Sequence, residues 1–265
     1  MIKHKEEEKQ LPVMMYIHGF MSGANGAKQR QLQKQFKGRY RVIAPELDGD
    51  PDKSLAIINE IVERERPVVI VGTSLGAWMA LMCDSICASL VLVNPVTAPQ
   101  EELAHWLNEP RTYFCKRLDG VQTYTLTREV LDKYGKYSLK RAIAYRGGFA
   151  HVLCSTKDEL LGDRHIRTLQ PYMHDRMTIV DDFGHQCRDS GLTHLFDILE
   201  AVDRQRHTPY VEGMYFVPTE AQRAGAMARS ALMDEVMAEE GMDPETAKIV
   251  DEIVKAVESR EREDE

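Results

Sequence analysis

The sequence predicts an α/β protein with a mainly parallel six-stranded sheet and helices on both faces. Three observations point there. Six short runs, at 13–17, 40–44, 68–71, 89–93, 150–155 and 176–180, are rich in β-branched and other apolar residues. They lack polar/apolar alternation, as strands buried on both faces do. Helix-patterned stretches separate most of them, and strand–helix alternation calls for parallel pairing. Several runs end in glycine-containing or polar turns, the edge where such sheets gather their functional groups.

At 265 residues with 43% hydrophobic content, the chain can bury one sizeable core and carry an appendage. No apolar run is long enough to span a bilayer. Residues 1–9 include basic residues with no apolar stretch behind them, so no signal peptide is expected. Cys83, Cys87, Cys115, Cys154 and Cys187 are odd in number and form no CxxC pair. They read as reduced thiols of a cytoplasmic protein, with no metal site expected. The net charge of -8 sits at one end: residues 219–265 hold 14 Asp/Glu against 6 Lys/Arg, leaving 28 of each sign before them. No basic footprint for nucleic acid exists.

Taken in order, the first strand (13–17) runs into His18-Gly19-Phe20-Met21-Ser22-Gly23. Small residues after a strand let backbone amides turn toward a neighbouring strand end. His18 itself reads as a packing or hydrogen-bonding residue. A polar helix follows to about Lys37, ended by Gly38. After the strand at 40–44, the loop 45–51 carries acids that either line a site or are solvated. Leu55, Ile58, Ile61 and Val62 then recur at helical spacing.

The third strand delivers Gly72-Thr73-Ser74-Leu75-Gly76 and a helix from Ala77 to Met82. This fits G-x-S-x-G, a turn that exposes a serine above the sheet and points helix amides at it. The alternative is a glycine-rich turn whose serine caps the helix. The strand at 89–93 ends in Asn94-Pro95. Between residues 97 and 149 the rhythm breaks, and 8 of the 19 Phe, Trp and Tyr residues gather there. The stretch reads as a small, mostly helical lid. Trp106, Tyr113 and Phe114 are its candidate substrate contacts, against the alternative that the aromatics form the insertion's own small core.

The strand at 150–155 leads to Thr156-Lys157-Asp158-Glu159, and the one at 176–180 to Asp181-Asp182-Phe183-Gly184-His185. A serine hydroxyl needs a histidine to take its proton and a carboxylate to orient that histidine. Ser74, Asp158 and His185 each follow a strand end, in the order that G-x-S-x-G hydrolases use. His165, His174 and His194 fall in or beside helices and His151 in a strand. For the acid, Glu159 adjoins Asp158 and Asp163 is close by, while Asp181 and Asp182 are nearer to His185 in sequence but lie on its own loop, awkwardly for reaching Nδ1. The Phe20 and Leu75 N–H groups are the candidate oxyanion hole.

These residues resemble the α/β-hydrolase superfamily and, more narrowly, the small bacterial YqiA-type esterase family. The resemblance rests on Tyr16-Ile17-His18-Gly19-Phe20-Met21-Ser22 with Lys28 after it, and on Ile70-Val71-Gly72-Thr73-Ser74-Leu75-Gly76. Val93-Asn94-Pro95, Thr156-Lys157-Asp158-Glu159-Leu160 and Gly184-His185 complete it. It covers about residues 13–203. It implies the Ser74, Asp158, His185 triad, a compact fold lacking two leading strands of larger relatives, and ester or thioester substrates. The lid departs from the family pattern, and residues 204–265 lie outside it.

The division expected is therefore a hydrolase domain over 1–203, with its lid at about 97–149, and a helical extension over 204–265. In that extension Thr219 begins one helix and Asp243-Pro244 another, whose Ile249, Val250, Ile253, Val254 and Val257 form one apolar stripe. Glu261 to Glu265 reads as frayed. The stripe is expected to dock on the body or on a second copy of the chain. The function expected is a cytoplasmic serine esterase acting on a small acyl ester or thioester without a cofactor. The alternatives are an acyl-CoA thioesterase and a non-catalytic interaction protein on a hydrolase scaffold.

Overall fold

The computed structural model describes residues 11–85, 88–207 and 220–240. The lead-in 1–9, Cys87, Thr219, Asp243-Pro244, the Ile249–Val257 stripe and Glu261–Glu265 lie outside the described residues. The chain opens with β1 (Val13–Ile17), α1 (Ala27–Gln35), β2 (Arg41–Ile43), α2 (Pro51–Glu65), β3 (Val69–Thr73), α3 (Leu75–Met82) and β4 (Ser89–Val93). An insertion holds α4 (Pro99–Glu102), β5 (Pro110–Thr112), β6 (Thr123–Thr125), α5 (Arg128–Lys133) and α6 (Leu139–Arg146). Then come β7 (Ala150–Ser155), α7 (Arg164–Met173), β8 (Met177–Val180), α8 (Ser190–His207) and α9 (Glu220–Glu240).

Six strands form one sheet in the order β2-β1-β3-β4-β7-β8. Every pairing in it is parallel, with Met15 opposite Ile70, Ile70 opposite Leu90 and Leu92 opposite Val152. Because successive side chains of a strand point to opposite faces, each strand feeds two cores. Met15, Ile17, Ile70, Leu90, Leu92 and Val152 pack with Ile58 of α2, Trp78 of α3 and Leu169 of α7. Met14, Tyr16, Val69, Val71, Val91 and Leu153 pack with Leu32 of α1 and Leu195 and Leu199 of α8. That double burial is why the strands read as continuous apolar runs. Each fully buried Ile, Leu or Val stabilises by about 1.5–3 kcal/mol.

Helix α2 begins at Asp50, whose carboxylate accepts the N–H groups of Asp52 and Lys53 ahead of Pro51 at the first helical position. The first helix stops before Gly38, which takes a φ of +78°.

The insertion differs from the expected, mostly helical lid in one respect: β5 and β6 pair antiparallel. Strands of three residues, one starting at Pro110, leave no periodicity to read. The lid is tied to the acidic loop before α2. Lys133 pairs with Asp50 at 2.7 Å, Tyr134 OH donates to Gly49 O at 2.8 Å, and Tyr137 OH donates to Asp52 at 2.7 Å. Buried Arg117 reaches the Leu47 and Ser22 carbonyls and lies over Tyr113 at 4.3 Å. The acids of loop 45–51 thus serve largely as lid anchors. Helix α9 packs against α6 and α7, with Leu232 and Val236 in the core shared with the sheet.

Candidate active site

At the β3–α3 turn, Ser74 has φ +55° and ψ -123°, a conformation that side chains rarely adopt. The flanking glycines make it possible. A Cβ on Gly72 would lie 2.5 Å from Gly76 O, and one on Gly76 would lie 2.2 Å from Ile17 O. The elbow therefore closes onto itself and onto the end of β1. Gly19 is tight but less extreme, since its Cβ would stand 3.1 Å from Ser74 Cβ.

Ser74 Oγ lies 3.0 Å from His185 Nε2, and His185 Nδ1 lies 2.8 Å from Asp158 Oδ2. The other Asp158 oxygen accepts the Leu160 and Leu161 N–H groups at 2.9 and 2.8 Å. Asp158 is buried, at 3% exposure. Burial pushes its pKa up, but the bond to His185, that ring's charge and the two backbone donors outweigh it. The carboxyl is held below its usual value. It is thus ionised where it orients the ring. With Asp158 accepting at Nδ1, the proton belongs on that nitrogen and Nε2 is left as the acceptor facing Ser74.

The Phe20 and Leu75 N–H groups have no hydrogen-bond partner among the described residues; Leu75, first in α3, has no partner to offer its N–H within that helix. Both residues line one small cavity with His18, Gly19, Met21, Leu47, Asp48 and Met79. At ≈ 10 Å³ it has room for about one water. His18 is structural, as expected: Nε2 accepts the Leu47 N–H at 3.2 Å and Nδ1 donates to Gly19 O at 2.9 Å. Burial lowers its pKa and keeps it neutral.

Of the three lid aromatics singled out, Trp106 stands edge-on to Phe20 with ring centres 5.7 Å apart, without lining the cavity itself. Tyr113 is buried within the lid against Tyr124 and Arg117, and Phe114 is 67% exposed. Neither lines the cavity. Tyr124, not singled out in the sequence, is the second aromatic on Phe20, at 6.0 Å. Its hydroxyl is buried without a partner among the described residues.

The competing histidines make no hydrogen bond to Ser74 or Asp158 among the described residues. His194 pairs with Asp182 at 3.0 Å, and His165 is buried in α7. Cys83, Cys154 and Cys187 are buried free thiols. Among the described residues no helix is long and apolar enough to cross a membrane, and no cluster of metal-ligating side chains occurs.

Residues 13–200 match the model of an uncharacterised protein family, UPF0227. The chain belongs to that family. It is the YqiA-type family of α/β hydrolases that the motifs resemble. Solved structures share the fold at low identity. Mouse alpha/beta hydrolase domain-containing protein 10 is 17% identical over 73% of this chain and 90% of its own, with a TM-score of 0.52. Est1E from Butyrivibrio proteoclasticus is 11% identical over 76% and 90%, with a TM-score of 0.56. A thioesterase domain from the curacin biosynthetic pathway is 14% identical over 72% and 92%, with a TM-score of 0.50. No curated protein matches the sequence.

Proposed function

We propose that this member of the family is a serine hydrolase that cleaves a carboxylic ester or thioester through an acyl-Ser74 intermediate. The observation that carries the reading is the hydrogen-bonded chain from Ser74 Oγ through His185 to Asp158, at 3.0 and 2.8 Å. In the first half-reaction Ser74 Oγ attacks the acyl carbon while His185 Nε2 takes its proton. The tetrahedral oxyanion is held by the Phe20 and Leu75 N–H groups, with the α3 dipole adding favourable potential. Collapse expels the alkoxide or thiolate, which leaves with the proton from Nε2. Water then repeats the sequence, protonating Ser74 and releasing the acid. Asp158 stays ionised throughout and stabilises the imidazolium.

Oxygen and sulfur leaving groups both suit this geometry, and structural neighbours include an esterase domain from a Rhodothermus marinus protein as well as the thioesterase domain. The test is covalent labelling with a fluorophosphonate probe together with hydrolysis of a short p-nitrophenyl ester. Ser74→Ala should lose both while keeping its melting temperature. Retained turnover in that variant would overturn the reading, and failure of the parent to label would favour a binding role for the scaffold.

A further inference from the structure

A histidine on a loop needs more than a carboxylate on its ring, because that single bond leaves the main chain beneath it free to shift. Resting on the reading of His185 as general base, we propose that Glu159 and Asn94 are positioning residues. They fix the His185 backbone from its two sides.

Glu159 Oε2 accepts the His185 N–H at 2.8 Å. Neighbouring carboxylates of one loop thus divide the histidine between them, Asp158 taking the ring and Glu159 the main chain. Gly184 makes the second contact possible, since a Cβ there would sit 2.6 Å from Glu159 Oε2.

On the other side, Asn94 Nδ2 donates to the carbonyls of Gly184 and His185, each at 3.4 Å. Its Oδ1 accepts the Ser155 N–H at 2.9 Å, and its own N–H donates to Leu153 O at 2.9 Å. One fully buried amide therefore joins the end of β4, the end of β7 and the histidine loop. The two 3.4 Å bonds are long and individually weak. They are backed by Ser155 Oγ, which donates to Phe183 O of the same loop. Asn94 has a φ of +41°. Asparagine is one of the few non-glycine side chains that tolerate this region, and the turned backbone is what sends its amide into the gap between strands and loop.

The contacts touch neither substrate nor reacting atoms, so the effect must pass through His185. Glu159→Ala, Glu159→Gln and Asn94→Asp should be compared with the parent and with Ser74→Ala. Kinetics on a short p-nitrophenyl ester, melting temperature and the downfield proton resonance of the His185 Nδ1–H bond are the readouts. Glutamine keeps an acceptor for the His185 N–H. Aspartate keeps the Ser155 contact but turns an oxygen toward two carbonyls. Loss of position should lower kcat about 10- to 100-fold in Glu159→Ala and Asn94→Asp, with KM within about threefold of the parent. The resonance should weaken in both and persist in Glu159→Gln, whose kcat should recover.

An unchanged kcat and resonance in Glu159→Ala would overturn the proposal, as would a Glu159→Gln variant no better than alanine. If Asn94→Asp does not fold, the two Glu159 variants still decide. Retained turnover in Ser74→Ala would instead remove the acyl-serine reading. The resonance series would still report whether these residues hold the ring.

Discussion

Gly76 Cα stands so close to the end of β1 that a Cβ there would lie 2.2 Å from the Ile17 carbonyl oxygen and 2.4 Å from that of His18. The contact is backbone to backbone, so no side chain can move aside. Gly76→Ala should destabilise by about 3 kcal/mol or more, on the order of 10 °C in Tm, because the sheet and elbow must separate to admit a methyl group. Gly38→Ala is the control. Its φ is +78° but nothing lies within 4 Å, so only backbone strain of about 1–2 kcal/mol applies. Thermal melts of the two variants check this, and equal stability would mean that the elbow is not wedged against β1.

Asp158→Asn should cost about 10⁴-fold in kcat on a short ester, because the amide no longer selects the Nδ1–H tautomer. Asp181→Asn and Asp182→Asn should cost little. Asp182 bonds His194 and not His185. A severe defect in either of those two would move the acid onto the histidine's own loop.

Stability should also fall with acid before most carboxylates titrate. Burial lowers the pKa of His18, His151 and His165 below the ordinary 6.5. Below that value the unfolded chain binds protons that the folded one does not, so stability drops as pH falls through 6.5. His165 is fully buried, with both ring nitrogens unpartnered among the described residues. His185 opposes its protonation while Asp158 and Asp163 favour it. An orphaned polar group costs about 1–3 kcal/mol, so His165→Leu should gain part of that and flatten the loss between pH 7 and 5. Melting curves across that range decide, and a less stable leucine variant at every pH would show the imidazole to be satisfied after all.

The sheet and the strand-end positions of Ser74, Asp158 and His185 are legible because each rests on a local pattern. Doubly buried strands leave unbroken apolar runs, and G-x-S-x-G is a backbone necessity at Gly72 and Gly76. The lid was only partly legible. Its β5–β6 ribbon is too short for a period, and Tyr124 differs from Tyr113 and Phe114 only in which way the ribbon turns it. The anchoring of the lid by Asp50 and Asp52 pairs residues more than 80 positions apart. Asn94 and Glu159 sat in plain view beside recognised motifs, yet their partners are backbone atoms, which the sequence does not mark.

The C-terminal extension gives the last prediction. Charge favours its contact with the lid, where residues 97–149 carry 9 Lys/Arg against 6 Asp/Glu. Lys140 meets Glu235 at 2.7 Å there. Exposed pairs of this kind contribute at most about 1 kcal/mol. Apolar burial is larger: Leu232 and Val236 are 1% and 5% exposed within the core that reaches the sheet. Truncating a buried leucine to alanine costs about 2–5 kcal/mol. Leu232→Ala should therefore lower Tm by several degrees, and Lys140→Ala by far less. Helix α8 runs through Asp203 to His207, so a chain ending at His207 keeps that helix whole and removes only the extension. It should melt earlier or run at a different apparent mass, while kcat on a small ester changes little, since neither Leu232 nor Val236 lines the cavity beside Ser74. Lost activity with unchanged stability and mass would put the extension in the active site instead.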